Sequence, residues 1–239
     1  MAGLGTVFNV IGIIVGGLFG MLFGKWIKPR MQETLNHAIG VCVILVGLSG
    51  ALQEVFTIGA DGLESGGTVM TIVSMVLGSL LGECLNLEDR VEAFGEYLKR
   101  KTKSERDAAF VGAFVTASLT VCIGAMAVVG AIQDGISGDY SVLLVKALLD
   151  MLIIAVMAAA LGKGCLFSAI PVALFQGSIT LLARWLEPLM TENALSNLSL
   201  TGSILIFCVG TNLTFGKKFR VANMLPSIVV AVLWGIFVP

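Results

Sequence analysis

Charged residues are scarce in this chain. They make up 13% of its 239 residues, whereas soluble globular proteins carry about a quarter. A soluble domain of this size needs more polar groups to cover its surface, so the composition excludes that class. The formal net charge of -1 provides no bulk electrostatic attraction to nucleic acid. We therefore expect no nucleic-acid partner.

Histidine and clustered cysteines are also lacking. His37 is the single histidine, and the five cysteines occur one at a time in or beside apolar runs, without metal-ligand spacing. The sequence contains no H-E-x-x-H motif, no phosphate-binding glycine loop and no nucleophile elbow. These absences predict that the protein holds no metal and no cofactor and is not an enzyme.

Long hydrophobic runs take the place of the missing polar residues. Hydrophobic residues make up 56% of the chain, and a membrane-spanning helix needs about 20 mostly apolar residues. We predict an all-α polytopic membrane protein with eight transmembrane helices, called spans 1 to 8. They cover 5–24, 35–53, 68–85, 108–132, 141–162, 165–186, 199–215 and 221–238.

The distribution of basic residues agrees with this count, because Lys and Arg collect in the cytoplasmic loops of membrane proteins. Thirteen of the fifteen fall after spans 1, 3, 5 and 7. The longest of these polar loops, 86–107, has the pattern of an amphipathic helix at the membrane surface. We therefore expect this loop in the cytoplasm and both termini on the extracytoplasmic side.

A short recurring sequence pattern, W-x-x-P-x-M, indicates an internal repeat. Trp, Pro and Met recur in register after spans 1 and 6, as Trp26, Pro29 and Met31 and as Trp185, Pro188 and Met190. Spans 1–3 would then match spans 6–8 in opposite orientation, and inverted repeats are typical of secondary transporters. A chance match between apolar helices is the alternative. The predicted division is a first repeat 1–85, the loop 86–107, a central two-helix segment 108–163 and a second repeat 164–239.

Glycine recurs every fourth residue along span 1, at Gly12, Gly16, Gly20 and Gly24. Such a stripe lets helix backbones approach closely in lipid. We favour packing within the chain or between protomers, and the lining of a sliding surface or a pore is the alternative. Because the stripe needs a partner helix, we expect a homo-oligomer.

Charged residues inside a span are candidates for binding. Lys146 and Asp150 lie four residues apart on span 5, where they share a helix face and can pair. A charge at mid-membrane costs about 2.5–3.5 kcal/mol, so it usually has a partner or a function. A structural ion pair and a contact to an ion or substrate both fit this spacing.

Span 4 carries a series of hydroxyl residues, Thr116, Ser118 and Thr120, and it ends with Gln133 and Asp134. This spacing does not place the hydroxyls on one helix face. It favours either a broken helix, whose free backbone groups can bind a solute, or a helix that contacts protein on several faces.

Three other spans add polar groups. Span 7 has Thr211 and Asn212 near its cytoplasmic end, and span 1 contains Asn9. Span 6 contains Gln176 beside Gly177, which favours a kinked or interrupted helix.

Three segments carry a resemblance to a known family: FNVIGIIVGGLFGMLFG in span 1, CIGAMAVVGAIQDG in span 4 and FCVGTNLTFGKK at the end of span 7. Over essentially its whole length the chain resembles bacterial inner-membrane proteins of the YdfK/YqgA type, which are grouped as a domain of unknown function. The resemblance implies a location in the bacterial plasma membrane. It implies no reaction, no ligand and no functional residue.

The leading hypothesis is a secondary transporter for a small solute or ion, with a site near mid-membrane between spans 4, 5 and 7. Asp150 is the candidate for the coupling ion or counter-charge, and Lys146 is its partner. Hydrogen bonds to the solute would come from Thr116, Ser118, Thr120 and Asn212. The alternatives are an oligomeric ion channel and a non-transporting membrane scaffold whose basic loop 86–107 binds a partner or anionic lipid.

Overall fold

The computed structural model describes residues 3–24, 26–59, 62–105 and 107–238. It is built almost wholly from helices, which confirms the predicted all-α membrane fold. In chain order these are α1 (Leu4–Gly24), α2 (Pro29–Val55), α3 (Thr68–Leu85), α4 (Leu87–Lys101), α5 (Phe110–Cys122), α6 (Ala125–Ser137), α7 (Ser141–Leu161), α8 (Ala169–Leu181), α9 (Ala183–Leu186), α10 (Glu192–Phe215), α11 (Val221–Met224) and α12 (Pro226–Phe237). Short 3-10 turns cover Lys163–Ser168 and Glu187–Leu189.

The structure does not confirm the predicted number of eight membrane spans. Within the described residues, six helical segments are long and apolar enough to cross a bilayer: α1, most of α2, α3, α7, the continuous segment Lys163–Leu181 and α10. Predicted span 4 consists of two helices, α5 and α6, bent by 63° at a short break, and counting the pair as one span gives seven. Predicted span 8 is the shorter apolar segment Val221–Phe237.

The connection between α2 and α3 contains a β-hairpin that the apolar pattern does not indicate. Strands β1 (Phe56–Gly59) and β2 (Gly62–Ser65) pair antiparallel, with Phe56 opposite Ser65. Local backbone hydrogen bonds also fix the end of α3. Asn86 ends α3 in a left-handed conformation with φ of 49°.

The chain folds as two compact units, each assembled from separate stretches of sequence. Unit 1 comprises the segment up to Ile39, Asp89–Cys122 and Met126–Glu187, and therefore holds α1 and most of α4 to α9. Unit 2 comprises Gly40–Glu88, Ile123–Ala125 and the segment from Pro188 onward, with most of α2, the hairpin, α3 and α10 to α12. The break in span 4 coincides with the return of the chain to unit 2.

Unit 1 is organised around the parallel packing of α1 on α7. The glycine stripe faces the α7 backbone, where Gly12, Gly16, Gly20 and Gly24 oppose Ala147, Met151, Ala155 and Ala159 in turn. Partner numbers rise together, so the two helices run in the same direction. A methyl group on any of these glycines would meet α7 backbone atoms, so only glycine permits this approach. The 3-10 turn and α8 pack antiparallel on α1, with Gly17 against Leu166 of the turn and Asn9 bonded to Gln176 of α8.

Helices of unit 2 also pack antiparallel at glycines, and α10 on α12 is one such pair, with Gly235 against Ala194. Gly47 of α2 lies against the backbone of Phe207, and Gly210 of α10 lies against Ile44. Likewise α3 packs on α11 and α12 through Gly78 and Gly82, which oppose the backbones of Ser227 and Asn223. Close backbone contact replaces the hydrophobic driving force that lipid cannot supply.

A polar cluster fixes the start of α11 in unit 2. The Asn223 Oδ1 accepts the backbone N–H of Glu88 at 2.7 Å, and its Nδ2 donates to Glu83. Glu88 accepts the Ala222 N–H at 2.9 Å and pairs with Lys217 at 3.0 Å. The N–H groups of Ala222 and Glu88, which lie at the starts of α11 and α4, are thereby satisfied.

Candidate binding site in unit 1

The candidate site begins with the charged pair on α7. The Lys146 Nζ donates to both carboxylate oxygens of Asp150, at 2.9 and 2.7 Å. The two residues are only 7% and 3% exposed. Asp150 lies nine residues into a 21-residue helix, or about 13 Å from its start, so the pair is near the middle of the span. Burial at this depth makes the mutual neutralisation of the two charges essential.

The same lysine holds one end of the broken span. Helix α5 ends at Cys122, so the carbonyl groups of its last turn have no helical partner. Lys146 Nζ donates to the Val121 carbonyl oxygen at 2.8 Å. All three ammonium protons of Lys146 are thereby used, two by Asp150 and one by the broken helix. The break of span 4 and the charge pair of span 5 form one hydrogen-bonded assembly.

The break itself depends on Gly124. Its φ of +144° lies in a region that residues with a side chain rarely adopt. A helix cannot continue through this conformation, and α6 starts again at Ala125. Of the two alternatives for span 4, the structure shows an interrupted helix, and the glycine within the sequence CIGAM lies at the interruption.

A pair of amides lies next to this assembly. Asn9 of α1 and Gln176 of α8 are both 0% exposed. The Asn9 Nδ2 donates to the Gln176 Oε1 at 3.2 Å, and the Asn9 side chain also interacts with the Asp150 carboxylate. The Asn9 Oδ1 and the Gln176 Nε2 have no hydrogen-bond partner among the described residues.

A pair of threonines and a pocket lie one helical turn away from the amides. The hydroxyl oxygens of Thr6 on α1 and Thr180 on α8 are 3.4 Å apart. Both line a pocket of about 550 Å³ at the start of α1 and the end of α8. Further lining residues are Gly3, Gly135, Gly177, Leu181, Arg184 and Trp185.

A carboxylate at the end of span 4 caps the N-terminus of α1. Asp134 is 0% exposed, and its carboxylate oxygens accept the backbone N–H groups of Gly3 at 3.1 Å and Gly5 at 2.9 Å. A carboxylate in this position satisfies the free donors of a helix N-terminus and opposes its positive dipole. Asp134 thus joins α6 to α1, whereas its predicted companion Gln133 is exposed.

The hydroxyl series of span 4 bonds within its own helix. Ser118 donates to the Phe114 carbonyl at 2.6 Å, and Thr120 donates to the Thr116 carbonyl at 2.8 Å. Hydroxyl groups in apolar surroundings commonly use the carbonyl four residues earlier in this way. A ligand that uses these donors has to compete with the bonds already made.

The predicted residues of span 7 belong to unit 2. Thr211 donates to the Phe207 carbonyl at 2.9 Å. Asn212 binds the loop after α10, where its Oδ1 accepts from the N–H groups of Lys218 and Phe219 and its Nδ2 donates to the Phe219 carbonyl. The observed bonds of Asn212 shape a loop.

Sequence reasoning placed Asn9 and Gln176 in spans 1 and 6 but left them out of the predicted site. Thr6 and Thr180 were not considered. Each residue is an isolated polar position in an apolar run, and nothing in the sequence pairs positions so far apart. The one available signal was the cost of an amide in lipid, which marks any such residue as one that needs a partner. Among the described residues, no three His, Cys, Asp or Glu side chains are grouped to hold a metal.

Together, the apolar helices, the buried ion pair and the interrupted span define a polytopic α-helical membrane protein with a polar interior. The chain belongs to the family described as "Protein of unknown function (DUF554)", whose profile matches residues 4–236. The resemblance inferred from the sequence is therefore confirmed.

Two relatives cover nearly the whole chain. The "Uncharacterized membrane protein YdfK" of Bacillus subtilis (strain 168) is 31% identical over 226 residues, covering 95% of this chain and 93% of the relative. The "Uncharacterized protein YqgA" of Escherichia coli (strain K12) is 25% identical over 232 residues, covering 95% and 94%. No solved structure matches the chain. The Bacillus relative is described as a membrane protein, and this supports the membrane location that the helices indicate.

Proposed function

We propose that the protein is a secondary transporter of a small solute or ion in the bacterial plasma membrane, without chemical conversion of its cargo. The observation that carries this proposal is the break in span 4. There the Val121 carbonyl, which has no partner within its helix, accepts from Lys146, and Lys146 is paired with the buried Asp150. Non-helical backbone at membrane depth is tolerated only where protein or a water-filled cavity surrounds it. In transporters, such interruptions form the substrate and ion sites.

The charges at the break add to this argument. A buried ion pair stabilises a membrane protein little, because two desolvated charges are costly even when they neutralise each other. Two apolar residues at these positions would form the same span without the cost of desolvating two charges. Asp150 is the proposed coupling or counter-charge group, and Lys146 links its state to the end of α5.

Helix packing supports the proposed inverted repeat. Spans 1 and 6, spans 2 and 7, and spans 3 and 8 are the equivalent pairs of the two predicted repeats. Within unit 1, α1 packs antiparallel on α8, and within unit 2, α2 packs on α10 and α3 on α12. Partners of opposite direction are what two repeats of inverted topology require.

The parallel contact of α1 and α7 supports the proposed topology. If α2, α3 and span 4 each cross the bilayer, span 5 runs in the same direction as span 1. A re-entrant span 4 would reverse α7, and the rising register of Gly12 on Ala147 and Gly24 on Ala159 opposes this. With span 4 crossing, both termini are extracytoplasmic only if the shorter segment Val221–Phe237 also crosses as an eighth span, and we retain that proposal.

The glycine stripe gives no support to the channel alternative. That hypothesis needed the stripe at a contact between subunits, whereas all four glycines face α7 of the same chain. A homo-oligomer stays a prediction, and it has to rest on another surface.

Uptake into proteoliposomes tests the proposed function. We would compare labelled sodium, glycine, lactate and lactamide in vesicles with the full chain and in empty vesicles. Saturable uptake of at least one solute is expected, and it should fall in Asp150→Asn and Thr120→Val. Asp139→Asn is the matched control, because Asp139 is an exposed carboxylate in the α6–α7 connection. Uptake equal to that of empty vesicles for all four solutes would refute transport of these classes, and stepwise conductance in planar bilayers would favour a channel.

A further inference from the structure

The amide pair of unit 1 is only half formed. Two primary amides that face each other can make two hydrogen bonds, one in each direction. Here the Asn9 Nδ2 donates to the Gln176 Oε1 at 3.2 Å, and the return bond from the Gln176 Nε2 to the Asn9 Oδ1 is not made. Both residues are fully buried, so each open atom costs about 1–3 kcal/mol in desolvation.

We infer that Asn9 and Gln176 form a subsite for a small neutral solute that carries a hydrogen-bond donor beside an acceptor, with a carboxamide as the best match. The inference rests on the proposed transport function and names its substrate class. The solute carbonyl would accept from the Gln176 Nε2, and its N–H would donate to the Asn9 Oδ1. The two open atoms would then both be satisfied.

Charged ligands fit these atoms less well. A carboxylate has no proton to donate to the Asn9 Oδ1, and a metal cation cannot accept from the Gln176 Nε2. The nearby charges are already paired, Lys146 with Asp150 and Asp134 with the N–H groups at the start of α1. The Lys146–Asp150 pair is neutral as a whole, and both Asp134 oxygens are engaged by backbone donors, so neither group offers a free charge to an ion.

A pocket lies one helical turn from the amides, which are themselves fully buried and are not among its lining residues. Thr6 and Thr180 line it, and they lie three and four residues from Asn9 and Gln176. Residues at these spacings share a helix face, and α1 and α8 run antiparallel, so the amides are one turn deeper on the same side of both helices. Arg184 also lines the pocket, but it lies a further turn away from Gln176. A neutral solute would pass the hydroxyl pair before it meets the amides.

The experiment uses a matched pair of solutes, lactamide and lactate, which differ in one amide against one carboxylate. Proteoliposomes with the full chain should take up lactamide saturably and lactate at least about tenfold more slowly, since one hydrogen bond of about 1.4 kcal/mol is worth a factor of ten. Asn9→Leu and Gln176→Leu should each lower lactamide uptake by about tenfold. Each single variant also takes away the one hydrogen bond of the partner amide, so the double variant Asn9→Leu/Gln176→Leu, which leaves no buried amide unpaired, is measured alongside and should show the same loss of uptake.

Thr201→Val is the control, because the Thr201 hydroxyl is also buried without a partner but lies in unit 2. Its lactamide uptake should equal that of the wild type. As a second readout, lactamide should raise the unfolding temperature of the wild type and not that of Asn9→Leu.

Three results would overturn the inference while leaving transport intact: lactate or sodium uptake without lactamide uptake, lactamide uptake unchanged in both leucine variants, or an equal loss in Thr201→Val. A change in water permeability alone would show that a bridging water occupies the subsite, and this too would overturn it. Absence of uptake for all four solutes would instead refute the proposed function.

Discussion

Replacing Lys146 by methionine should strongly destabilise unit 1. Methionine keeps most of the side-chain volume, but Asp150 loses its partner and the Val121 carbonyl loses its donor. Breaking a buried ion pair by removing one partner costs about 3–5 kcal/mol. We expect Lys146→Met to lower the free energy of unfolding by an amount in this range.

Removing both charges should cost less than removing one. In Lys146→Met/Asp150→Leu no buried charge remains, and the deficit is the unsatisfied Val121 carbonyl, about 1–3 kcal/mol. Asp150→Leu alone should lower the free energy of unfolding more than the double variant does, because it leaves an ammonium group with a single carbonyl partner. A double-mutant cycle over these variants should give a coupling energy of about 2 kcal/mol or more.

The measurement is reversible unfolding in mixed micelles, followed by the loss of helical circular dichroism as denaturing detergent is added. Lys99→Met is the control, because Lys99 pairs at 3.6 Å with Glu96 on α4, and the Glu96 side chain is 45% exposed. Such a surface pair contributes at most about 1 kcal/mol. If both single variants lose less than about 1 kcal/mol and their effects add in the double variant, the central role given to the pair is wrong.

Two glycine substitutions test the helix contact and the break. Gly16→Ala places a methyl group on the Met151 carbonyl of α7, and this overpacking should cost about 1–3 kcal/mol of unfolding free energy. Gly124→Ala meets no neighbouring atom but requires a φ of +144°, so a strain of about 1–3 kcal/mol should destabilise the break and lower uptake. Gly112→Ala on α5 is the control for both, because its site is open and helical, and it should stabilise by up to about 1 kcal/mol. Equal stability of all three variants by detergent unfolding would contradict both arguments.

The membrane fold could be predicted because its signal is local. A span needs only enough consecutive apolar residues, and the bounds of α3 and α7 follow the apolar runs 68–85 and 141–162 to within a residue. The apolar segment Val221–Phe237 likewise follows predicted span 8 at 221–238, but hydropathy does not register that Pro226 begins a new, short helix within it.

The polar interior could be predicted only in part. Lys146 and Asp150 are neighbours on one helix, so their spacing alone predicts that they can pair. Asn9 and Gln176 meet only after α1 and α8 have packed, and no local pattern encodes that meeting. The hydroxyls of span 4 differ from both pairs, because Thr120 bonds to a carbonyl of its own helix, and their predicted contact with a solute stays a prediction.

The register of α1 on α7 has a consequence for biosynthesis. Helix α1 is made first, but its glycine face has no partner until α7 follows more than a hundred residues later. At roughly 5–20 residues per second, that wait is on the order of ten seconds. During this time four glycines and Asn9 face lipid or the insertion machinery. In unit 2, the contact between α3 and α12 likewise forms only after α12 has been made. Neither unit can be completed in the order in which it is synthesised, so a nascent chain arrested before α7 should be a substrate for membrane quality control.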